Sequence, residues 1–380
     1  MWHTLLHRVR HSTLRTSMLG KHQQVSNSAA RARVRRVWLK VHRWIGLSLG
    51  LVLTVAAVSG SAMLIADPLD KALNHHIFTA PNSSTVDYPA VLAALKNEVD
   101  ASSSITLRPP RQPEESLHAL IRGPWRGTIY LNPTTAEILG RRAETEGTMG
   151  FLFALHSHLF AGEIGKIVLT LSAFAYLCLL ASGFYLWWPK RWSQAFNIRL
   201  TASSLRALFD WHRVTGAILG IGVLVSVASG AYMTWQPFAQ AVTYLSGGTA
   251  TVAPKVQASA PSGNIIALAV DRARSTYANA SIGYIQVPAK PDQPIRIRMR
   301  MADDPHPNGL TSLWLDPSNA QILQINHWAT LDLGTRAYSY IYPLHTGELW
   351  GISWMVITFI FGVTLFGYGL TGILLWWRKR

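Results

Sequence analysis

The chain has 380 residues, of which 49% are hydrophobic and only 14% are charged, and its formal net charge is +16. This composition argues against a soluble protein, because four uncharged runs are each long enough to cross the ~30 Å hydrocarbon core of a bilayer. The charge also argues against a nucleic-acid-binding surface: residues 1–43, 189–213 and 378–380 hold 18 basic residues and one acidic residue. Basic residues clustered beside apolar runs predict a membrane protein with both termini in the cytoplasm.

In chain order, the pattern predicts an α-helical membrane protein whose four transmembrane helices form a tandem repeat with two small outer α+β domains. Asp67-Pro68 is expected to end the first span, because Pro disfavours helix in the residue before it. The predicted segments are a disordered basic tail (1–30), a lead-in and first span (31–66), a first outer domain (67–150), a second span with an outer extension (151–188), a cytoplasmic loop (189–211), a third span (212–236), a second outer domain (237–343), and a fourth span with a basic end (344–380).

The two outer segments share one predicted plan, a helix followed by strands. Their strands are recognised by alternation of apolar and polar residues. The lone cysteine, Cys178, lies in a span, so no intramolecular disulfide can hold these domains. The predicted elements are helices 88–99 and 265–277, strands 104–107, 117–122, 128–131, 282–287 and 295–301, and matching hairpins at 129–139 and 313–323.

Four histidines occupy matched positions in the two halves. A His-Arg pair opens the first and third spans at His42 and His212, at an offset of 170 residues. Leu-His precedes the second and fourth spans at His156 and His345, at an offset of 189. The predicted topology places the first two histidines inside and the other two outside, so they can pair only as His42 with His212 and His156 with His345.

Paired imidazoles without clustered cysteines or carboxylates favour bis-histidine haem over zinc or an iron–sulfur cluster. The sequence holds no Cys-x-x-Cys-His motif, so attachment would be non-covalent, as in b-type cytochromes. We therefore expect about two haem b groups per chain. His158 is the main rival to His156 as a ligand, and the alternative interpretation of all these histidines is polar anchoring at a helix end.

Arginines and glycines next to these histidines have two interpretations each. Arg43 and Arg213 are placed either to neutralise haem propionates or to anchor the spans on the cytoplasmic side. Gly46 and Gly216, each followed four residues later by another glycine, permit close approach of either a macrocycle or a neighbouring helix. A Ser-Gly or Thr-Gly pair also occurs in every span, which we interpret as a haem-facing seam, at Gly60, Gly183, Gly230 and Gly372.

With these residues in view, residues 35–380 resemble the PepSY-associated transmembrane helix family. The resemblance rests on His-Arg-x-x-Gly at His42 and His212, on Leu-His at His156 and His345, and on the turn motifs 131–133 and 315–317. It implies a multi-pass protein of the bacterial inner membrane with two PepSY-like periplasmic domains and b-type haem. The implied activity is reduction of ferric siderophores, which releases iron as Fe(II).

The leading functional hypothesis is thus a di-haem reductase that passes electrons across the membrane to a ferric siderophore, taken to be of the hydroxamate type. No nucleotide-binding fingerprint is present, so a quinol or an unknown protein would be the electron donor. The aromatic segment 328–350, with Arg336, Tyr338, Tyr340 and Tyr342, is expected either to line the substrate site or to form an interfacial belt. The alternatives are a haem-free envelope binding or regulatory protein and a siderophore permease.

Overall fold

The computed structural model describes residues 29–81, 83, 85–199, 203–249, 252–257, 263–290 and 292–378. The predicted disordered tail lies outside these residues except for residues 29 and 30, which begin a helix. The chain divides into two compact units. Unit 1 comprises residues up to 51, 174–221 and 367 onwards, and unit 2 comprises residues 52–173 and 222–366.

The helices are α1 (29–47), α2 (Leu49–Leu73), α3 (His75–Phe78), α4 (Tyr88–Glu98), α5 (Gly147–His158), α6 (Gly162–Trp187), α7 (Ser204–Thr234), α8 (Pro237–Leu245), α9 (Gly263–Thr276), α10 (Leu333–Thr346) and α11 (Ile352–Trp377), with 3₁₀ turns at Trp192–Gln194 and Trp328–Thr330. Helices α2, α6, α7 and α11 are long and apolar enough to cross a membrane, with mean hydropathy between 1.8 and 2.1. They correspond to the four predicted apolar runs.

The first long helix runs further than predicted. Helix α2 continues through Pro68 to Leu73, so the prediction that Asp67-Pro68 ends the helix is wrong. The turn after Pro68 is stabilised by a buried ion pair in which Arg142 Nη1 lies 2.6 Å from Asp70 Oδ2. This pair fastens the end of the helix to the sheet of unit 2 and offsets the loss of one backbone hydrogen bond at proline.

The second and fourth apolar segments are broken just before the spanning helix. Leu159 and Phe160 adopt left-handed backbone conformations, with φ of 52° and 56°, between α5 and α6. Gly347, with φ of 88°, caps α10 before α11 begins. The predicted outer extension of the second span is therefore a separate helix, α5, and each spanning helix that follows a break has 26 residues, or ~39 Å.

Unit 2 contains a single eight-stranded antiparallel sheet, in the order β4-β3-β2-β1-β5-β6-β7-β8. The strands are β1 (Ser104–Arg108), β2 (Leu117–Arg122), β3 (Arg126–Leu131), β4 (Ile138–Ala143), β5 (Ser281–Val287), β6 (Ile295–Arg300), β7 (Thr311–Leu315) and β8 (Ile322–Asn326). Pairing of β1 with β5 joins the two outer segments, with Leu107 opposite Ile285. The two outer segments were predicted to form two small domains, whereas their strands form one sheet.

One face of this sheet is covered by α4 and α9, which together complete a common hydrophobic core. Leu95 from α4, Ile266 from α9 and Leu107 from β1 are among its fully buried side chains. Asp87 caps α4, because its carboxylate accepts a hydrogen bond from the Ala90 N–H at 2.9 Å. The two halves of the sheet end in similar hairpins, each with a bulge and one left-handed alanine, Ala136 or Ala320.

Candidate cofactor sites at two histidine pairs

In unit 1, His42 of α1 and His212 of α7 face each other. Their ring centroids are 6.2 Å apart and their planes are nearly perpendicular, at 86°. The sequence placed these two residues together, and the structure brings them into contact as the 42/212 pair.

Hydroxyl groups on two other helices fix the proton on each ring of this pair. Ser182 Oγ donates to the Cys178 carbonyl at 2.6 Å, and Thr371 Oγ1 donates to the Gly367 carbonyl at 2.6 Å. Each hydroxyl has only one proton, so it accepts from the nearby imidazole: His42 Nδ1 lies 2.8 Å from Ser182 Oγ, and His212 Nδ1 lies 2.7 Å from Thr371 Oγ1. The neutral rings therefore carry the proton on Nδ1 and present the Nε2 lone pair as a potential metal ligand.

In unit 2, His156 of α5 and His345 of α10 form the second pair. Their ring centroids are 5.8 Å apart, and the planes are tilted by 36°. His156 Nδ1 lies 2.8 Å from the Ala56 carbonyl, and His345 Nδ1 lies 3.0 Å from the Ser226 carbonyl. A carbonyl only accepts, so both Nδ1 atoms are donors and both Nε2 atoms carry the lone pair. We refer to these two residues as the 156/345 pair.

Glycines from α2 and α7 leave the space that the rings of the 156/345 pair occupy. A Cβ atom on Gly60 would lie 2.7 Å from His156 Cε1, and one on Gly230 would lie 2.8 Å from His345 Cε1. In unit 1 the corresponding glycines are less crowded, because a Cβ on Gly183 would lie 3.5 Å from His42 Cε1 and one on Gly372 would meet nothing within 4 Å. Three of the four Ser-Gly or Thr-Gly pairs thus bring a glycine against a histidine ring, a role that spacing alone did not indicate.

The ring-centroid spacing of both pairs matches that of two imidazoles bound to one metal ion. A metal bound at ~2 Å by one nitrogen of each ring separates the ring centroids by about 6 Å, and the two pairs measure 6.2 and 5.8 Å. Among the described residues, no group of three or more His, Cys, Asp or Glu side chains could hold a metal ion. Two imidazoles alone match an iron whose remaining positions are filled by a macrocycle, and they do not complete a tetrahedral zinc site.

The arginine after each histidine of the 42/212 pair has different surroundings. Arg213 donates from Nη1 to the Ala195 carbonyl at 2.9 Å and from Nη2 to the Asn197 carbonyl at 3.0 Å. It also lies 3.6 Å from the buried carboxylate of Asp210. Through these contacts Arg213 stabilises the loop between α6 and α7. Arg43, by contrast, is exposed.

The glycines of the first and third spans differ in what lies beside them. Added Cβ atoms would meet only Leu179 at 3.8 Å beside Gly46, and nothing within 4 Å beside Gly216. By contrast, a Cβ on Gly220 would lie 2.7 Å from Leu180 Cδ1, which is typical of close helix packing. Gly216 therefore borders open space, whereas Gly220 serves contact between helices.

His158, the rival ligand, is the last residue of α5 and does not join the second pair. A residue two positions from His156 points to a different side of the helix. Its Nδ1 atom is buried without a hydrogen-bond partner among the described residues. The structure thus brings His156, and not His158, to His345.

Helix α10 carries further aromatic residues on the side that bears His345. Tyr338, Tyr342 and His345 are spaced by four and three residues and so share one helix face. The ring of His306, a residue that the sequence analysis did not single out, lies 5.7 Å from Tyr338 and 4.5 Å from Tyr342. Tyr340 lies elsewhere on α10, is 52% exposed and contacts Trp328.

Comparison with protein families adds one finding to this geometry. The family model described as the PepSY-associated TM region matches residues 39–379, which include all four paired histidines. The chain belongs to this family. A comparison with curated proteins gives no match. The four apolar helices and the family together identify a membrane protein of the PepSY-associated type.

Proposed function

We propose that the protein is a di-haem reductase of the bacterial inner membrane, with both termini cytoplasmic, that passes electrons to ferric siderophores. In this proposal the chain is a tandem repeat, and each half contributes one histidine to each pair. The observation that carries the proposal is that the Nδ1 atom of each histidine lies 2.7–3.0 Å from a protein oxygen, in two pairs whose ring spacing suits one iron each.

Haem b held by two imidazoles cycles between Fe(III) and Fe(II) and so supplies one-electron transfer, which none of the side chains here provides alone. His42 and His212 would hold one group, and His156 and His345 the other. With two histidines assigned to each haem, the protein would transfer electrons to a substrate that is held by other residues of the chain.

The residues around the histidines set the position and basicity of these ligands. A hydrogen bond from Nδ1–H to a hydroxyl or carbonyl oxygen fixes ring orientation and makes Nε2 a stronger donor. Ser182 and Thr371 would do this at the 42/212 pair, and the carbonyls of Ala56 and Ser226 at the 156/345 pair. Such hydrogen bonds stabilise the oxidised iron and so tune the reduction potential.

The substrate would be reduced beside the 156/345 pair, which the predicted topology assigns to the periplasmic side. Oxygen ligands of a siderophore are hard and hold Fe(III) more strongly than Fe(II), so reduction alone weakens the chelate. Electrons would enter at the 42/212 pair from a quinol or an unknown protein. No acid, base or nucleophile is required of the chain.

The test is a reduction assay on detergent-purified protein that was produced with ample haem. The protein is reduced with a limiting amount of dithionite, a ferric siderophore is added, and Fe(II) is trapped with a colorimetric chelator. We expect the visible absorption bands of reduced haem to disappear as trapped Fe(II) appears. Protein without such bands would support the haem-free regulatory alternative, and haem that stays reduced with the siderophore present would exclude this substrate.

A further inference from the structure

The face of the sheet opposite α4 and α9 is rich in arginine. Side chains alternate between the two faces of a strand, so the core positions Ile295, Ile297 and Met299 leave the arginines of β6 on the other face. Arg108 of β1 also lies opposite the buried core positions. We define the arginine cluster as Arg108, Arg111, Arg298 and Arg300.

Contacts around the cluster place Arg111 and Arg298 near the start of β7. Arg111 Nη2 donates to Asn308 Oδ1, and Arg298 Nη1 donates to the Gly309 carbonyl at 3.3 Å. The Arg298 guanidinium lies 5.3 Å from the centre of the Tyr284 ring. Its Nε–H is buried and has no hydrogen-bond partner among the described residues. Arg298 therefore keeps an N–H donor that no acceptor in the described part of the chain engages.

The cluster reaches the aromatic face of α10 through His306. Tyr342 contacts the His306 ring and precedes His345 by three residues, a rise of ~4.5 Å along the helix. A ligand between the cluster and Tyr342 would therefore lie beside the helix face that carries His345.

The local charge at the cluster is positive. Burial, followed by the nearby charges of Arg298, Arg111 and Arg300, lowers the pKa of His306 to about 3. Three carboxylates lie nearby, those of Glu115, Glu348 and Asp304, fewer than the four guanidinium groups, and Asp304 already accepts from the backbone N–H groups of His306 and Leu310. Moreover, Glu115 Oε2 already accepts from the backbone N–H groups of residues 111 and 112.

We propose that the arginine cluster binds an anionic ferric chelate beside Tyr338 and Tyr342, so that the substrate class is anionic and not a neutral hydroxamate complex. This inference rests on the proposed function. Guanidinium groups donate charge-assisted hydrogen bonds to anionic catecholate or carboxylate oxygens, and tyrosine rings pack on the flat ligand arms. A neutral complex would gain only the packing and would leave the positive charge uncompensated.

The experiment measures binding with gallium(III) complexes, because gallium(III) matches ferric iron in size and charge and is not reduced. The full chain, haem-loaded and in detergent, is titrated calorimetrically with a gallium tricatecholate of charge −3 and with a neutral gallium trihydroxamate. We expect the anionic complex to bind at least about tenfold more tightly, and its affinity to fall as salt is added.

The variants Arg108→Gln and Arg111→Gln each remove one charge from an exposed side chain, so the fold is retained. Each is expected to weaken binding of the anionic complex by about five- to tenfold and to leave binding of the neutral complex unchanged. Arg141→Gln, which removes an equally exposed charge from the edge strand β4, is the matched control.

Equal affinity for the two gallium complexes, or the same loss in Arg141→Gln as in Arg108→Gln, would overturn the inference. Failure of the proposed function would look different. In that case the gallium tricatecholate still binds in an Arg108-dependent way, whereas an anionic ferric carboxylate chelate stays unreduced by the dithionite-reduced protein.

Discussion

At the scale of single residues, the four histidines differ in what holds them. His42 and His212 donate to side-chain hydroxyls, whereas His156 and His345 donate to backbone carbonyls, which cannot be removed by substitution. This difference makes the 42/212 pair the one whose proton position can be tested by mutation.

We expect Ser182→Ala to weaken haem retention at the 42/212 pair by about 10- to 100-fold, because the Nδ1–H of His42 loses its hydroxyl acceptor at 2.8 Å. The measurement is haem transfer to an excess of apomyoglobin, followed in the Soret band. Ser182→Thr keeps a hydroxyl and should retain haem. Ser229→Ala is a matched control, since His345 Nδ1 keeps the Ser226 carbonyl at 3.0 Å. Identical transfer rates in Ser182→Ala and the unmodified chain would contradict the assigned tautomer.

The glycines give a second test at this scale. Gly60→Ala and Gly230→Ala place a methyl group within 2.8 Å of a ring atom of the 156/345 pair, so the ring must move. We expect each variant to lose most of the haem at that pair. Gly372→Ala, which meets nothing within 4 Å, should keep both haems. Full haem content in Gly60→Ala, measured as the pyridine haemochrome, would show that the ring position is not essential.

At the scale of elements, the short helices α5 and α10 carry the histidines of the second pair and are separated from the spans by left-handed residues. The sequence predicted neither break. At the first one, Leu159 and Phe160 are apolar residues for which a positive φ is unusual. The apolar pattern continues across this turn and gives no local sign of the break. In the structure the break is accompanied by close packing of the His158 carbonyl against Gly165.

The two faces of α10 are expected to differ in function. Tyr338→Ala removes a ring that packs beside His306 and should slow ferric-siderophore reduction severalfold. Tyr340→Ala changes the same residue type on the same helix, at a position that contacts Trp328, and should leave the rate unchanged. The rate is followed as trapped Fe(II), with dithionite reduction of both haems as the control. Equal slowing in both variants would favour the rival groove of about 360 Å³ beside Trp328 and Tyr340.

At the scale of the whole molecule, sequence and structure agree on most strands and helices and differ in how these elements associate. Alternation in residues such as Ile295, Ile297 and Met299 predicted the strands, since one face of each strand is buried. The pairing of β1 with β5 was not predicted. Within its own segment β1 is the outermost strand, and its sequence carries no local signal for a partner about 180 residues away. Likewise, matched spacing revealed the histidine pairs but not the carbonyls of Ala56 and Ser226.

Because the two outer segments share one sheet, we expect a destabilising substitution in one segment to destabilise the other as well. Leu107→Ala, at a fully buried position of β1, should lower the free energy of unfolding by about 2–5 kcal/mol. Hydrogen exchange should accelerate in α9 as well as in α4, because both helices pack on the same core. Leu323→Ala, at a 40% exposed position, is the control and should change stability little. Faster exchange confined to residues 88–143 would indicate two independent domains.

The central claim is that two histidine pairs each hold one haem. The most direct measurement is the pyridine haemochrome content of purified protein, together with reduced-minus-oxidised spectra, for the unmodified chain and for His42→Ala and His156→Ala. We expect about two haems per unmodified chain and about one in each variant, with His156→Ala keeping the haem at the 42/212 pair and His42→Ala the haem at the 156/345 pair. His158→Ala, which changes a histidine outside the pairs, should keep both. Haem content near zero in the unmodified chain, or unchanged content in His42→Ala and His156→Ala, would contradict the claim.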